Sequence, residues 1–399
     1  MIDAIAARLE GSLGREGVQR LQRSSVAVLG TGLLGGQLLN HIAMLQVPTL
    51  LVDPGEVDVQ NLGNQMFPME ALGEPKVAVR QAQMRALNPS CPVRAIHARV
   101  ESVGLGAFAD TDLLLTGLDS PASRLAVNRI AGRLGIDWID AAVDGSGQRT
   151  YGTVTWFRPH EEAVACYGCG YDADALAAVA REVRRQPCAS WRDPGSPDTG
   201  PTLMASPFGA VVAGFQMNLA IQALLGRAKT QLGRQIQIAG EGEPRLRTVE
   251  LARRSTCAFP HRQLAPLRRV DCRTPGELVD LARQDLGKAP EALIFPERPL
   301  TFGLACAACG AARNIVKHCQ AVSDAEVRCH CGATGEMGPV EVGNRVDASR
   351  LPSIASQPWS ALGIPDEDLV SAESAGRRTH YLLPRGPRGE MEVTPCTTT

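Results

Sequence analysis

The segment Gly30-x-Gly32-x-x-Gly35 constrains this chain more than any other. It follows a four-residue apolar run at 26–29 and opens an apolar stretch that reaches about residue 45. The next apolar run, 50–52, ends on Asp53. Glycines at these spacings let a strand turn tightly into a helix and let backbone N–H groups approach a phosphate, while the acid accepts from ribose hydroxyls. The pattern predicts strand–turn–helix–strand with a nucleotide at the turn.

The rest of the N-terminal half continues the alternation. A short basic amphipathic arm occupies 1–23. A helix is expected over 76–87, stopped by Asn88-Pro89, then strands at 93–97 and 113–115, a helix over 122–134 and a strand at 138–142. Strands alternating with helices predict an α/β fold, a Rossmann-like and mainly parallel sheet with helices on both faces. Strand 151–157, a helix over 172–185, a Pro/Gly/Asp-rich loop over 189–203 and strands around 235–251 come next. A helix near 275–286, a strand near 292–295 and a Cys-rich ribbon mark a separate module.

Composition narrows the function classes. A length of 399 residues suggests roughly two to three domains. A net charge of -1 with 4% aromatics offers neither a basic surface nor a stacking platform, so no nucleic-acid partner is expected. Residues 206–225 carry no charge and are long enough to span a bilayer. Gln216, Asn218 and Gln222 lie inside that stretch and no basic flank precedes it, so a buried helix or subunit interface is expected rather than a membrane span. The 12 cysteines include the close pairs Cys166/Cys169, Cys306/Cys309 and Cys329/Cys331, which suit a metal better than a disulfide framework. A reducing, cytoplasmic compartment is expected. Asp3, Arg8 and Glu10 interrupt the opening residues as no secretory leader would.

A dehydrogenase is the ordinary reading of the glycine motif, but the residues beyond Asp53 argue otherwise. Asn61-Leu62-Gly63-Asn64-Gln65 comes eight residues after Asp53. Glu74-Pro75-Lys76 then opens a helix, and a strand runs into Asp119, with Arg124 and Asn128 on the next helix. Amides, a lysine and a carboxylate at the carboxyl ends of strands suit ATP with Mg²⁺. Lysine neutralises phosphate, amides bond its oxygens, and the carboxylate holds the metal.

On Gly30/Gly32/Gly35, Asp53, Asn61-Leu62…Gln65, Pro75-Lys76, Asn88-Pro89, Asp119…Arg124…Asn128 and Cys166-x-x-Cys169, residues 1–257 resemble a known superfamily. It comprises the adenylyltransferases that activate ubiquitin and ubiquitin-like sulfur carriers, among them the ubiquitin-activating enzymes and the adenylyltransferases of thiamine and molybdopterin synthesis. The resemblance implies a Rossmann-like adenylation domain working as a homodimer or pseudo-dimer. Asp53 would bind ribose; Asn61, Gln65 and Lys76 the phosphates; Asp119 Mg²⁺. Arg8 is the nearest match to an arm arginine that reaches across the dimer. Asn64 stands where the superfamily has arginine, so either another arginine substitutes or the chain is a catalytically weak partner.

The resemblance also implies a second ligand pair for Cys166/Cys169, and the matching segment offers Cys257 and His261. That gives a Cys₃His zinc site, with Cys306, Cys309, Cys329 and Cys331 as a separate Cys₄ ribbon; pairing of 166/169 with 306/309 is the competing arrangement. Four-ligand Zn²⁺ sites of this kind are structural. Cys188 lies in the stretch where the resembling enzymes carry the thiol that accepts the activated carrier as a thioester.

The expected organisation is therefore an ATP-binding adenylation domain over 1–262, an inserted zinc-ribbon module over 263–340, a return to the core over 341–385 and a flexible tail over 386–399. The expected activity is adenylation of the C-terminal glycine of a ubiquitin-like protein, then thioester transfer. The alternatives are a sulfur-carrier adenylyltransferase of cofactor synthesis, a weak dimerisation partner, and an NAD-dependent oxidoreductase. Expected partners are the carrier protein, a second copy of the chain and a downstream conjugating enzyme.

Overall fold

Two helices, Ile2–Leu13 (α1) and Arg15–Arg23 (α2), lead into the first strand of a computed structural model that describes residues 2–146, 149–185, 204–227, 229–331, 337–386 and 392–393. In α2 the buried residues Gly17, Val18 and Leu21 share one face, and Arg20 and Arg23 complement the dipole of its last turn. The chain divides into two units: residues 1–101, 110–263 and 389–399 in one, and 102–109 with 264–388 in the other.

The first unit is built as the glycine motif predicts. Val26–Leu29 (β1) is buried at every position, as a strand covered on both faces must be. Leu33–Leu45 (α3) comes after the turn, and Gln46 closes it in the left-handed conformation at φ 60°. Next come Thr49–Val52 (β2), the single turn Val59–Leu62 (α4), Lys76–Leu87 (α5), Val93–His97 (β3) and Leu113–Thr116 (β4). Pro121–Leu134 (α6) is started by the Ser120 cap with proline in its first turn and ended by Gly135 at φ 72°. Asp137–Asp144 (β5), Tyr151–Phe157 (β6), Ala173–Arg185 (α7), Ser206–Leu224 (α8), Arg234–Ala239 (β7) and Arg245–Glu250 (β8) complete this part of the chain.

The sheet order is β3-β2-β1-β4-β5-β6-β7-β8, with the short strand Glu392–Val393 beside β3. Pairing is parallel from that outer strand to β5 and antiparallel from β5 to β8. Chain order reverses between β1 and β4. At such a switch point the crevice beyond the strands' carboxyl ends is where ligands bind in open α/β sheets.

Helix α8 is long and apolar enough by composition to cross a membrane. Here Val212, Ala213, Met217 and Ala220 join Leu38, Ile42 and Trp156 in the core of the first unit. Gln216 is fully buried, and its Nε2 donates to Thr116 O and Ile139 O, both at 2.8 Å. The amide thus fastens the helix to β4 and β5.

The second unit holds Leu267–Arg269 (β9), Pro275–Leu286 (α9), Ala292–Ile294 (β10), Leu300–Cys306 (β11), Ala312–His318 (β12), Asp324–Val327 (α10), Met337–Pro339 (β13), Val342–Gly343 (β14), Arg345–Asp347 (β15), Leu351–Ile354 (α11), Leu369–Ser374 (β16) and Arg377–Leu382 (β17). One sheet runs β15-β10-β16-β17-β9; a smaller one joins β11 to β12, β13 and β14. Leu278, Phe295, Trp359 and Tyr381 fill its core. Arg298 and Asp368 pair at 2.7 Å with side chains only 3% and 1% exposed, and Arg298 also donates to Val103 O.

Two expected boundaries differ from the structure. Residues 341–385 do not return to the first core: β16 and β17 form a hairpin that pairs with β10 and β9 and buries Val370, Ala372 and Tyr381 among residues of the second unit. Residues 102–109 likewise belong to the second unit rather than to the 1–262 domain. Of the expected tail, Glu392–Val393 pairs parallel to β3.

Replacing Gln216 with leucine should destabilise the first unit by about 1–3 kcal/mol, because two strand carbonyls lose a buried donor. Urea unfolding tracked by the fluorescence of Trp156, in the same core, would read the change; an unaltered midpoint would show that these bonds contribute nothing net.

Candidate nucleotide site and metal centres

The turn after β1 is set by crowding. Gly30 takes φ 86°, and a Cβ there would lie 2.7 Å from Gly117 O in the turn after β4. A Cβ at Gly35 would run into Gly30 O. Gly32 caps α3, and a side chain there would press on Gln65 Oε1 at 3.3 Å. The glycines therefore bring three segments together at the N-terminus of α3.

Asp53, buried at the end of β2, ties the turn to its own strand. Its Oδ2 accepts from Thr31 N at 2.6 Å and Thr31 Oγ1 at 3.1 Å, and its Oδ1 accepts from Gly55 N at 2.7 Å. A carboxylate has about four acceptor sites. Three bonds leave capacity for a ribose hydroxyl.

The loop between β2 and α5 brings the amides and the lysine. Asn61 Oδ1 accepts from Asp58 N at 3.0 Å in a capping box, so its Nδ2 is the group left to meet a ligand. Gln65 N bonds Asn61 O at 2.8 Å, and Lys76 Nζ donates to Gln65 Oε1 at 3.1 Å. Burial lowers the Lys76 ammonium from its usual range, against the attraction of Asp53 and Asp119. An anion beside Lys76 would favour the charged form. Asp119 is exposed beyond the end of β4, on the Lys76 side of the turn.

Arg124 does not face solvent. Its Nε meets Asp140 Oδ1 at 3.1 Å, and Thr116 Oγ1 donates to the same oxygen at 2.6 Å. Burial opposes the Arg124 charge, but Asp140 and then Tyr167 outweigh it and hold the guanidinium above its usual range. Asn64 donates to Met204 O at 3.4 Å, while its Oδ1 is buried with no hydrogen-bond partner among the described residues. The arginine that the structure sets beside this position is Arg80, whose Nη2 donates to Gln65 O. Arg8 stands exposed on α1. Cys188 lies outside the described residues.

Seven cysteines and His261 gather into two clusters, each within one unit. Cys166 caps the single 3₁₀ turn Tyr167–Gly170 after β6 and Cys169 lies within it; Cys257 and His261 come after β8. Cys166 Sγ lies 3.9 Å from Cys169 Sγ and 3.8 Å from Cys257 Sγ, and Cys169 Sγ lies 3.5 Å from His261 Nε2. Zn–S bonds of about 2.3 Å in a tetrahedron place sulfurs roughly 3.8 Å apart, so the donor set fits zinc. His261 Nδ1 faces Glu161 O at 3.4 Å, which leaves Nε2 as the ligand atom. Burial, and then Cys169 and Cys257, push the Cys166 thiol up to about 12, so it binds a metal only by giving up a proton. The second cluster joins Cys306 to Cys331 at 3.8 Å and Cys309 to Cys329 at 3.5 Å. In each cluster all ligand atoms lie within 4.8 Å of one another. Cys166 and Cys169 thus gather with Cys257 and His261, and Cys306 and Cys309 with Cys329 and Cys331.

A mainly parallel sheet with a glycine turn, an acid and a lysine gathered at its switch point defines a Rossmann-like fold. Residues 6–259 match the model of the ThiF family, and the chain belongs to that family. It is 34% identical to a sulfur carrier protein adenylyltransferase of Thermus thermophilus over 163 residues, 39% of this chain and 59% of that protein. It is 29% identical to the NEDD8-activating enzyme E1 catalytic subunit of Caenorhabditis elegans over 133 residues, 33% of this chain and 31% of that one. Both alignments span less than two thirds of the relative. Among solved structures, E. coli MccB with succinimide aligns at 16% identity and a TM-score of 0.49, over 64% of this chain and 73% of that one.

Two zinc ions per chain are expected in protein purified without added metal, and His261→Ala should reduce the content to about one. Elemental analysis reads both numbers; unchanged content in the variant would exclude His261 as a ligand. Because binding releases thiol protons, zinc should be retained at neutral pH and lost as pH falls, and dialysis across a pH series checks that sign.

Proposed function

We propose that the chain is an ATP-dependent adenylyltransferase that activates the C-terminal glycine of a ubiquitin-like or sulfur-carrier protein. The observation that carries this is the Lys76–Gln65 contact over the Gly32 turn, with Asp119 on the same side, in a chain of the ThiF family. In this scheme a carboxylate oxygen of the carrier attacks the α-phosphorus of ATP. The bond from that phosphorus to the bridging oxygen breaks, and pyrophosphate leaves with both electrons. Lys76 and the N–H groups at the start of α3 offset the charge that collects on the phosphates. Asp53 holds the ribose. Asp119 would hold Mg²⁺, which when bound neutralises the departing pyrophosphate.

In the fuller form, Cys188 then attacks the acyl-adenylate carbonyl and releases AMP, leaving the carrier as a thioester. A homodimer, an Arg8 contribution across it, and recognition of the carrier or a conjugating enzyme by the second unit belong to the same proposal. A second reading stops at the adenylate, as a sulfur-carrier adenylyltransferase would; the name and 59% coverage of the Thermus relative favour it.

Asp119→Ala should abolish carrier-dependent ATP–pyrophosphate exchange, by on the order of 10²-fold or more; full exchange in that variant would remove Asp119 from the site. Cys188→Ala should leave exchange intact while a non-reducing gel loses the carrier–enzyme adduct. An adduct that persists would rule Cys188 out, and a wild-type enzyme that exchanges without any adduct would favour the second reading.

A further inference from the structure

We propose that Arg80 is a positioning residue for the nucleotide phosphates: its guanidinium fixes the glycine turn and Gln65 at the separation that a triphosphate between α3 and Lys76 requires. This rests on the adenylation reading above and adds to it a residue that touches no reacting atom.

Arg80 lies one helical turn after Lys76 on α5, so the two cations share a face. Its side chain is buried, with the residue only 4% exposed, and a guanidinium so placed is costly unless its donors are bonded. Nε donates to Thr31 O at 3.1 Å, Nη1 to Gln83 Oε1 at 2.8 Å, and Nη2 to Gly32 O at 3.5 Å and to Gln65 O. The guanidinium stacks on Phe67, 4.0 Å from the ring centroid. Three of these acceptors are main-chain oxygens of the segments that carry Gly32 and Gln65. Lys76 holds Gln65 by its side-chain amide and Arg80 holds it by its carbonyl, so two cations locate one residue over the turn. Each carbonyl taken up by Arg80 is also a negative dipole end withdrawn from the surroundings of an anion.

The space for this group comes from Gly36, directly after the last glycine of the motif. A Cβ there would collide with the guanidinium. Gly36 and Arg80 therefore act as a pair: one opens the cleft in α3 and the other fills it. Burial lowers Arg80 to about 10, against attraction from Asp53, so the group stays charged at neutral pH.

The test is calorimetric titration of the full chain with Mg²⁺ and the α,β-methylene analogue of ATP, and separately with adenosine. The proteins compared are wild type, Arg80→Gln, Arg80→Lys and Gly36→Ala. Arg80→Gln and Gly36→Ala should bind the analogue about tenfold or more weakly while adenosine binding stays the same, because only the phosphate cradle has shifted. Arg80→Lys, which keeps the charge but not the fork, should fall between. Gly36→Ala displaces the guanidinium without removing it, and so decides the matter if Arg80→Gln does not fold. Analogue affinity equal to wild type, or adenosine and analogue affinities falling by the same factor, would overturn the proposal. A wild type that binds neither ligand would instead overturn the adenylation reading.

Discussion

Asp53 joins the end of β2 to the turn after β1, and much of the site depends on that tie. Its Oδ2 takes the Thr31 N–H and hydroxyl, and its Oδ1 takes Gly55 N. Gly30 N also bonds Val52 O at 2.9 Å, and Asp53 adds the side-chain tie between the turn and that strand. With it, the start of α3, the Gly55 loop and the Gln65 amide meet where chain order reverses between the parallel strands β1 and β4. Burial lowers the Lys76 ammonium there, against the attraction of Asp53 and Asp119.

The two cysteine clusters do a different job. The core around the first is small: Leu125, Ala165 and Phe259, with Cys166 and Cys169 themselves. The second sits on a hairpin backed by Leu304 and Met337. Local cores this small bury little apolar surface, and a four-ligand metal bound there would supply the cross-link that packing does not. Both clusters have closed four-donor sets, which suits scaffolding rather than chemistry.

Continuous apolar runs bounded by glycine or proline made the first unit legible. Strands 26–29, 93–97 and 151–157 and helix 76–87 lie where the sequence places them. The second unit was legible only in part. Helix 275–286 stands out by its Thr274 cap and Gly287 stop, but β16 and β17 pair with segments some 80 to 110 residues earlier, and nothing local encodes such pairing. At the site the sequence places Arg124 on its helix but not its partner: Asp140, on the next strand, pairs with it at 3.1 Å. Arg80 belongs to no motif; its signal in the sequence is Gly36 adjoining the glycine motif, together with a cation four residues after Lys76.

The central claim is that this turn holds the triphosphate of ATP. A crystal structure of the full chain with Mg²⁺ and the α,β-methylene analogue of ATP tests it most directly. The account predicts ribose hydroxyls on Asp53, phosphates between the N-terminus of α3 and Lys76, and a metal on Asp119. Nucleotide bound elsewhere, or phosphates that contact neither Lys76 nor the turn at Gly32, would contradict it.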